Sequence, residues 1–376
     1  MLTGKLPILQ VSRIRSSASK RIGEVCGSHL ERHRRWRKGK SAPVSGTFSS
    51  TVNPWHGMIT NIYARPLLIV TMALMYILAV GHAQERKLRI AYSSPALTYP
   101  WQAEAAKVAQ DEAQKLGIDL LLEDGQASSP KQDSDLRSAL NLAVDGVVLD
   151  PNDVDALTGA TNDVLDAGIP IVTFDRIVRN PHKPIPYFGL DNVAGGVAMA
   201  KYVVSKLPNG ARIVFITGKA GGSSANDRAK GVHEGIKAAG DKYKIVAEQT
   251  GNWSRAEALT VTQNILTSLG YTPDAIIAAN DDMALGALAA IEQAGTPKGK
   301  IVVVGIDGLP EALAKIRDGE MAASVQFPLL QVRLALEALV ARLRDNKAIE
   351  GKLLDPLVIE KSNLQQADRY SAIESD

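Results

Sequence analysis

The stretch IPIVTFDRIV, Ile169 to Val178, decides how the rest of the chain is interpreted. Its first six residues are apolar apart from one threonine, which is typical of a strand buried on both faces of a parallel sheet. The run then ends in an adjacent acid and base, Asp175 and Arg176. Two charges at the end of a buried strand are either a local ion pair or groups that meet a ligand.

The alternation of apolar runs and helical segments continues on both sides of this stretch. From Lys87 onward, a strand-like run and a segment of helical period recur about every 25–30 residues, which predicts parallel sheets flanked by helices. The candidate strands are LRIAYS, IDLLLE, DGVVLD, IPIVTF, IPYFGL, ARIVFIT, YKIVAEQ, DAIIAAN, IVVVGID and AASVQ. We expect an α/β fold in which the two halves form two doubly wound, Rossmann-like lobes that separate after Gly189.

Helices are expected between the strands, above all at residues 101–116, 154–167 and 281–294. Each of these segments is followed by or ends near a glycine, a residue that commonly terminates helices because it tolerates the left-handed backbone conformation. The expected terminating residues are Gly117, Gly168 and Gly295.

The N-terminal 83 residues are predicted to lie outside this fold. Residues 1–65 contain twelve Lys or Arg and two Glu, so the chain after them carries −7 although the net charge is +3. A basic run of this kind is typical of a solvated or disordered segment, and a nucleic-acid partner is not expected for the acidic remainder. The only cysteine, Cys26, lies in this extension, so no disulfide is expected in the rest of the chain.

An export signal is predicted at the end of this extension. The apolar run 67–80 follows Arg65, and small residues stand at Gly81 and Ala83, a spacing typical of signal-peptidase cleavage after Ala83. We therefore expect a periplasmic protein, the alternative being an uncleaved membrane anchor that faces the periplasm. A start at Met58 would give the signal an ordinary length, and residues 1–57 are then expected to be an over-extended start.

Polar and aromatic residues recur directly after the candidate strands, where ligands of open α/β sheets bind. Carboxylate, amide and guanidinium groups can form hydrogen bonds with sugar hydroxyls, and aromatic rings can stack on the C–H faces of a sugar. The candidate ligand-binding residues are Tyr99, Trp101, Gln102, Asp175, Arg176, Arg228, Trp253, Asn280, Asp307 and Gln326.

Each of these residues alone also fits an ordinary structural role. A rim salt bridge, a helix cap or a core position explains Asp175, Asn280 or Trp101 equally well. Their joint placement at strand ends is what favours a ligand site. The glycine-rich loop GKAGGSSAND lacks the spacing of phosphate-binding motifs, so we expect it to turn over the cleft instead.

The chain from about residue 87 to 363 resembles the periplasmic sugar-binding proteins of the ribose-binding type, the soluble receptors of bacterial ABC importers. The segments that carry the resemblance are TYPW, DGVVLDP, GIPIVTFDR, LDNVAGG, NDRAKGV, AANDDMALGALAAI, VVVGIDG and ASVQFP. The resemblance implies two lobes joined by a three-strand hinge near Asp191, Gln326 and Asp355, which closes on one sugar. The implied limits are 84–190 with 327–355 for lobe one, and 191–326 with 356–376 for lobe two.

The same resemblance assigns roles to the candidate residues. Asp175 and Arg176 match a pair that holds ring hydroxyls, and Arg228 matches a second sugar-binding arginine. The remaining matches are polar contacts at Asn280, Asp307 and Gln326 and ring-stacking aromatics at Trp101 and Trp253. Tyr99 and Gln102 depart from the pattern of ribose binders, so a hexose, a cyclic polyol or another pentose fits as well as ribose.

The implied partners are a monosaccharide or polyol, the membrane permease of an ABC importer and, as an addition, a chemotaxis or sensor receptor. A monomer without cofactor, metal or nucleic acid is expected. A transcription regulator of the lactose-repressor type shares this fold, but it needs a helix-turn-helix where the export signal stands. An enzyme is disfavoured because the chain after residue 83 has no cysteine, no G-x-S-x-G motif and only the isolated His182 and His233.

Overall fold

The computed structural model describes residues 86–374, which contain two sheets and the helices that cover them. The strands β1–β12 are Arg89–Ser94, Asp119–Asp124, Gly146–Leu149, Ile171–Phe174, Tyr187–Leu190, Ala211–Thr217, Tyr243–Thr250, Ala275–Ala278, Val302–Asp307, Ala323–Gln326, Lys352–Leu354 and Leu357–Glu360. The helices α1–α9 are Pro100–Leu116, Ser129–Asn141, Thr158–Asp166, Asn192–Lys206, Ser223–Ala239, Arg255–Leu269, Asp281–Gln293, Pro310–Arg317 and Leu330–Asp345. Short 3₁₀ turns at Lys361–Gln366 and Tyr370–Ala372 complete the described chain.

Each half of the alternating pattern forms five strands of one sheet, and β11 and β12 near the C-terminus add a sixth strand to the first and second sheet. The first sheet has the order β11-β5-β4-β3-β1-β2 and is parallel throughout. The second has the order β12-β10-β9-β8-β6-β7, in which only the edge strand β12 is antiparallel. The predicted class, two doubly wound α/β units with parallel sheets, is confirmed.

The central strands are buried along their whole length because helices cover both faces of each sheet. Every residue of β3, β4 and β8 is buried, which explains why these strands read as continuous apolar runs. The predicted glycines stand just after the ends of their helices, with Gly117 at φ 64°, Gly168 at φ 80° and Gly295 at φ 70°. Only glycine takes this left-handed conformation without a steric penalty, so these positions end their helices.

The chain passes between the two sheets three times, and we call the units built on the first and second sheets lobe one and lobe two. The passages lie between β5 and α4, between β10 and α9, and between β11 and β12. Helix α9 returns to pack on α1, β3, β4 and β5 of lobe one. The residue limits given for the lobes and hinge stay a prediction, because a hinge is defined by how two conformations differ.

The predicted extension 1–83, with its apolar run 67–80 and the cleavage after Ala83, lies outside the described residues. Between residues 86 and 374, no helix has both the length and the apolar character needed to span a bilayer.

Candidate functional site

A cavity of about 30 Å³ lies between the lobes, where the carboxyl ends of the strands of both sheets face each other. This is the position at which doubly wound sheets bind ligands. Its walls combine aromatic rings with charged and amide groups, in keeping with a ligand that has both C–H faces and hydroxyls. The lining residues are Tyr99, Pro100, Trp101, Gln102, Asp175, Arg176, Ser224, Arg228, Trp253, Asn280, Asp307 and Phe327.

Asp175 and Arg176 both reach the cavity because the backbone turns out of the strand at Asp175. Strand β4 ends at Phe174, and Asp175 has φ 55°, in the left-handed region that non-glycine residues rarely adopt. Neighbours in a regular strand would point to opposite faces, whereas this turn lets both side chains line the same cavity. A strained backbone next to a cavity is a recurring feature of functional sites.

The carboxylate of Asp175 has one oxygen bonded and one free. Its Oδ2 accepts from Gln102 Nε2 at 3.1 Å. Its Oδ1 is buried and has no hydrogen-bond partner within residues 86–374. A buried acceptor without a donor costs free energy, so a ligand hydroxyl that donates to Oδ1 would be strongly favoured.

Arg176 is fixed by groups from both lobes. Its Nη1 lies 3.3 Å from Asp150 Oδ1 in lobe one, and its Nε donates to Ser224 Oγ in lobe two at 3.0 Å. The guanidinium also lies 5.9 Å from the centre of the Trp253 ring, within reach of a cation–π contact. Burial raises the pKa of Asp150 well above its usual range, and the nearby Arg176 opposes that rise.

Arg228 occupies the lobe-two wall of the cavity. It is carried by α5, and it donates to Asn192 Oδ1 at 2.8 Å and to the backbone oxygen of Ala279 at 2.7 Å. Its Nη1 is 4.0 Å from Asp307 Oδ1. Burial lowers the pKa of Arg228 and raises that of Asp307, and each charge opposes the shift of the other.

Asn280 serves as a helix cap and as a cavity residue at once. Its Oδ1 accepts from the Met283 amide at 2.9 Å and caps α7, which leaves the Nδ2 group for the cavity. The adjacent Asp281 turns away from the cavity and accepts from Ser324 Oγ at 2.8 Å and from the Leu309 amide at 2.9 Å. Asp281 therefore holds the turn that directly follows Asp307, the last residue of β9.

The first turn of α1 contributes the remaining wall. The indole N–H of Trp101 donates to the backbone oxygen of Phe327 at 2.9 Å, and the two rings meet edge to face with centres 4.9 Å apart. Gln102 donates to both Asp150 and Asp175 through its Nε2. Tyr99 precedes the helix and is half-buried at the cavity.

The structure thus brings nine of the ten sequence-predicted residues to one cavity, and Gln326 is the exception. Gln326 ends β10 at the passage between the lobes, and its Oε1 accepts from the Asp368 amide at 2.6 Å. This hydrogen bond ties it to the C-terminal segment. The ligand role of all ten residues stays a prediction.

Three lining or supporting residues were missed by the sequence reasoning. Ser224 looked like part of a flexible glycine-rich loop, and Phe327 looked like the start of a helix connection. Asp150 does not line the cavity, yet it accepts from Gln102 Nε2 at 2.5 Å and pairs with Arg176. Its position directly after a candidate strand, in DGVVLDP, was the signal that could have identified it.

A family model described as a periplasmic binding protein domain matches residues 90–347 of this chain. The chain belongs to this family. The ribose import binding protein RbsB of Bacillus subtilis (strain 168) is 34% identical over 279 residues, which are 73% of this chain and 88% of that protein. A putative rhizopine-binding protein of Rhizobium meliloti is 33% identical over 259 residues, 66% of this chain and 82% of that protein.

Solved structures extend the comparison to the fold. The crystal structure of a Caulobacter myo-inositol binding protein bound to myo-inositol has a TM-score of 0.74 and 42% sequence identity. The match spans 77% of this chain and 98% of the myo-inositol binding protein. A periplasmic solute-binding protein from Actinobacillus succinogenes with bound D-allose follows at TM-score 0.70 and 28% identity, over 74% of this chain and 100% of that chain. This periplasmic binding protein is therefore a sugar-binding receptor of an ABC importer and not an enzyme.

Proposed function

We propose that this periplasmic binding protein captures a cyclic polyol of the myo-inositol type. The observation that carries the proposal is the ring of donors and acceptors on both lobes of one cavity, from Asp175 and Arg176 to Arg228, Asn280 and Asp307. A cyclitol carries a hydroxyl on every ring carbon and can therefore use hydrogen-bonding groups on all sides. The 42% identity to the myo-inositol binding protein supports this choice over a ribose ligand.

The aromatic residues fit the same ligand. Trp101, Trp253 and Phe327 line the cavity, and their rings present apolar surfaces to the C–H faces of a six-membered ring. Tyr99 and Gln102 stand where the sequence departs from ribose binders. Gln102 contributes here by holding Asp175 Oδ2, which leaves Oδ1 as the acceptor for a hydroxyl.

Isothermal titration calorimetry with myo-inositol, D-ribose, D-allose and D-galactose tests the ligand. We expect myo-inositol to bind with a Kd in the micromolar range or below, about −8 kcal/mol or stronger, and at least tenfold more tightly than the three aldoses. Absence of myo-inositol binding, or tighter binding of any of the aldoses, would refute the proposed ligand.

The same titration tests the site. Asp175→Ala and Arg176→Ala are each expected to weaken binding tenfold or more, because charge-assisted hydrogen bonds contribute about 1.5–3 kcal/mol. Arg333→Ala is the matched control, since Arg333 pairs with Glu337 on the exposed side of α9, away from the cavity. An affinity unchanged from the control in both site variants would remove the cavity from the proposed function.

We infer further that the chain is exported through the signal at 67–80 and works as a monomer, delivering its ligand to a permease and serving a chemotaxis or sensor receptor as a second partner. Family membership supports the periplasmic location. Mass spectrometry of the periplasmic fraction is expected to find a mature N-terminus at Gln84. A chain retained in the cytoplasm with its N-terminal residues intact would contradict the export signal.

A further inference from the structure

The C-terminal residues 361–373, which we call the C-terminal strap, run along lobe two and contact the passage after β10 at Asp368. The strap packs on β12 and α8, and Arg317 of α8 donates to the backbone oxygen of Ile373 at 3.1 Å. The Asp368 amide donates to Gln326 at the end of β10. The strap is thus anchored to lobe two and to one of the passages between the lobes.

Arg369 of the strap reaches the turn that carries Asp307. Its Nη1 donates to the backbone oxygens of Asp307 and Gly308 at 2.7 and 3.1 Å, and its side chain is buried. The turn needs such support, because Asp307 has φ 149° and Gly308 has φ 72°. A guanidinium on two successive carbonyl oxygens fixes the direction in which the Asp307 carboxylate leaves the turn. Its charge also counters the burial that raises the pKa of Asp307.

The same guanidinium crosses to lobe one. Its Nε lies 2.5 Å from Glu104 Oε2 on α1, without the alignment of a hydrogen bond, so the contact is an ion pair. Glu104 stands two residues after Gln102, in the helix whose first turn lines the cavity. Arg369 therefore joins the two walls of the site on the side away from the rim loops, through one ion pair between a buried arginine and a half-buried glutamate.

We propose that Arg369 is a positioning residue, and that its ion pair with Glu104 is a latch that forms when the lobes close on the ligand. An interaction between lobes that exists only in the closed form adds its free energy to that form alone. Removing Glu104 leaves the buried Arg369 without its carboxylate partner, and an unpaired buried charge is destabilising. The ligand part of this inference rests on the proposed function.

Stopped-flow measurement of myo-inositol binding to the full chain tests the latch. Glu104→Gln and Arg369→Gln are each expected to raise the dissociation rate about tenfold and to leave the association rate within about twofold. The double variant is expected to match Arg369→Gln, since Glu104 acts on the site through Arg369. Glu112→Gln is the control, because Glu112 lies on the same helix and pairs with Lys115 of that helix.

A purely structural role gives a different result. If the variants lower the melting temperature but dissociate at the rate of the control, or if the two single effects add in the double variant, Arg369 is not a latch. A change in association rate equal to that in dissociation rate also overturns the proposal, since the latch acts after encounter.

A ligand-free measurement separates failure of the latch from failure of the proposed ligand. Spin labels at Gln114→Cys on α1 and Lys237→Cys on α5, in a Cys26→Ser background, report the distance between the lobes. We expect a closed population in the parent protein that Glu104→Gln depletes at least threefold. Identical distance distributions overturn the latch even if myo-inositol binds, and the expected depletion supports it even if myo-inositol does not.

Discussion

At the scale of single residues, the ring of Trp253 depends on a glycine that leaves room for it. A Cβ atom at Gly218 would overlap the indole ring, so this position in the loop after β6 accepts no side chain without moving Trp253. Trp253 itself has φ 65° and lies under both Arg176 and Arg228, with ring-centre distances of 5.9 and 5.7 Å. The indole therefore supports two charged groups as well as lining the cavity.

Gly218→Ala is expected to weaken ligand binding about tenfold, because the displaced indole no longer supports either guanidinium. Calorimetric titration with the ligand of the wild type measures the effect. Gly159→Ala is the control, since a Cβ there meets only Arg137 Nη2 at an ordinary 3.5 Å. Equal affinity of the Gly218 and Gly159 variants would show that Trp253 does not shape the site.

Glu123 makes stability depend on pH without touching the cavity. Its Oε2 is buried and has no hydrogen-bond partner within the described residues, and burial raises its pKa to about 7, with Asp135 adding and Lys131 opposing. A raised folded-state pKa means that the folded protein holds the proton more tightly than the unfolded chain. The contribution of protonated Glu123 to the free energy of unfolding is therefore fully present below the unfolded-state pKa of about 4.5, and it is lost as the pH rises through 7.

Glu123→Gln removes this loss, since the amide stays neutral. We expect the variant to be about 1 kcal/mol more stable than the wild type near pH 8, after allowing for solvent screening of a partly exposed group. Near pH 4 the two proteins are expected to be equally stable. Urea denaturation at both pH values measures the difference, and a gap that does not change with pH contradicts the assignment to Glu123.

At the scale of elements, helices α4 and α5 pack with their backbones in close approach. A Cβ at Gly196 of α4 would overlap the backbone oxygen of Arg228, and a Cβ at Gly231 of α5 would overlap that of Val193. The two glycines face each other at this crossing, with Gly196 Cα 3.0 Å from the Cβ site of Gly231. Arg228 sits on α5 one turn before Gly231, so this crossing sets how far its side chain reaches toward the cavity.

Gly231→Ala is expected to lower the free energy of unfolding by about 1–3 kcal/mol, since the helices must separate to admit the methyl group. Affinity for the ligand is expected to fall with it, because Arg228 moves with α5. Urea denaturation and calorimetry measure the two effects. Gly159→Ala in the first turn of α3 is expected to keep or raise stability, and similar behaviour of the two variants would argue against the close crossing.

The elements also show what the sequence could predict. Strands β1 to β10 were all predicted, and the central ones, such as β3, β4 and β8, were recognisable because a parallel strand covered on both faces is an apolar run. Strands β11 and β12 were not, since only Ile359 among their residues is buried and the runs are three and four residues long. No pattern in the amino-acid sequence identifies the C-terminal strap or Arg369 as part of the site. Their importance comes from contacts with Glu104 and Asp307, far away in the sequence, that only the folded chain creates.

At the scale of the whole molecule, the lobes meet on both sides of the cavity. Behind it lies the pair of Arg369 and Glu104, and in front lie hydrogen bonds between the rim loops. Lys219 of lobe two donates to the backbone oxygen of Ala127 in lobe one at 2.7 Å, and the Val154 amide donates to Gly221 at 3.0 Å. The glycine-rich loop 218–222 thus turns over the cleft, and its hydrogen bonds join the two lobes.

Lys219→Met is expected to weaken ligand binding about three- to tenfold, because a cross-lobe hydrogen bond from a charged donor contributes about 1 kcal/mol or more to the closed form alone. The loss is expected in the dissociation rate, measured by stopped flow, with the melting temperature of the ligand-free protein changed little. Lys206→Met is the control, because Lys206 pairs with Glu360 within lobe two. If both variants release the ligand at the wild-type rate, the front contacts accompany closure without stabilising it, and the free energy of closure must come from the ligand and the rear ion pair.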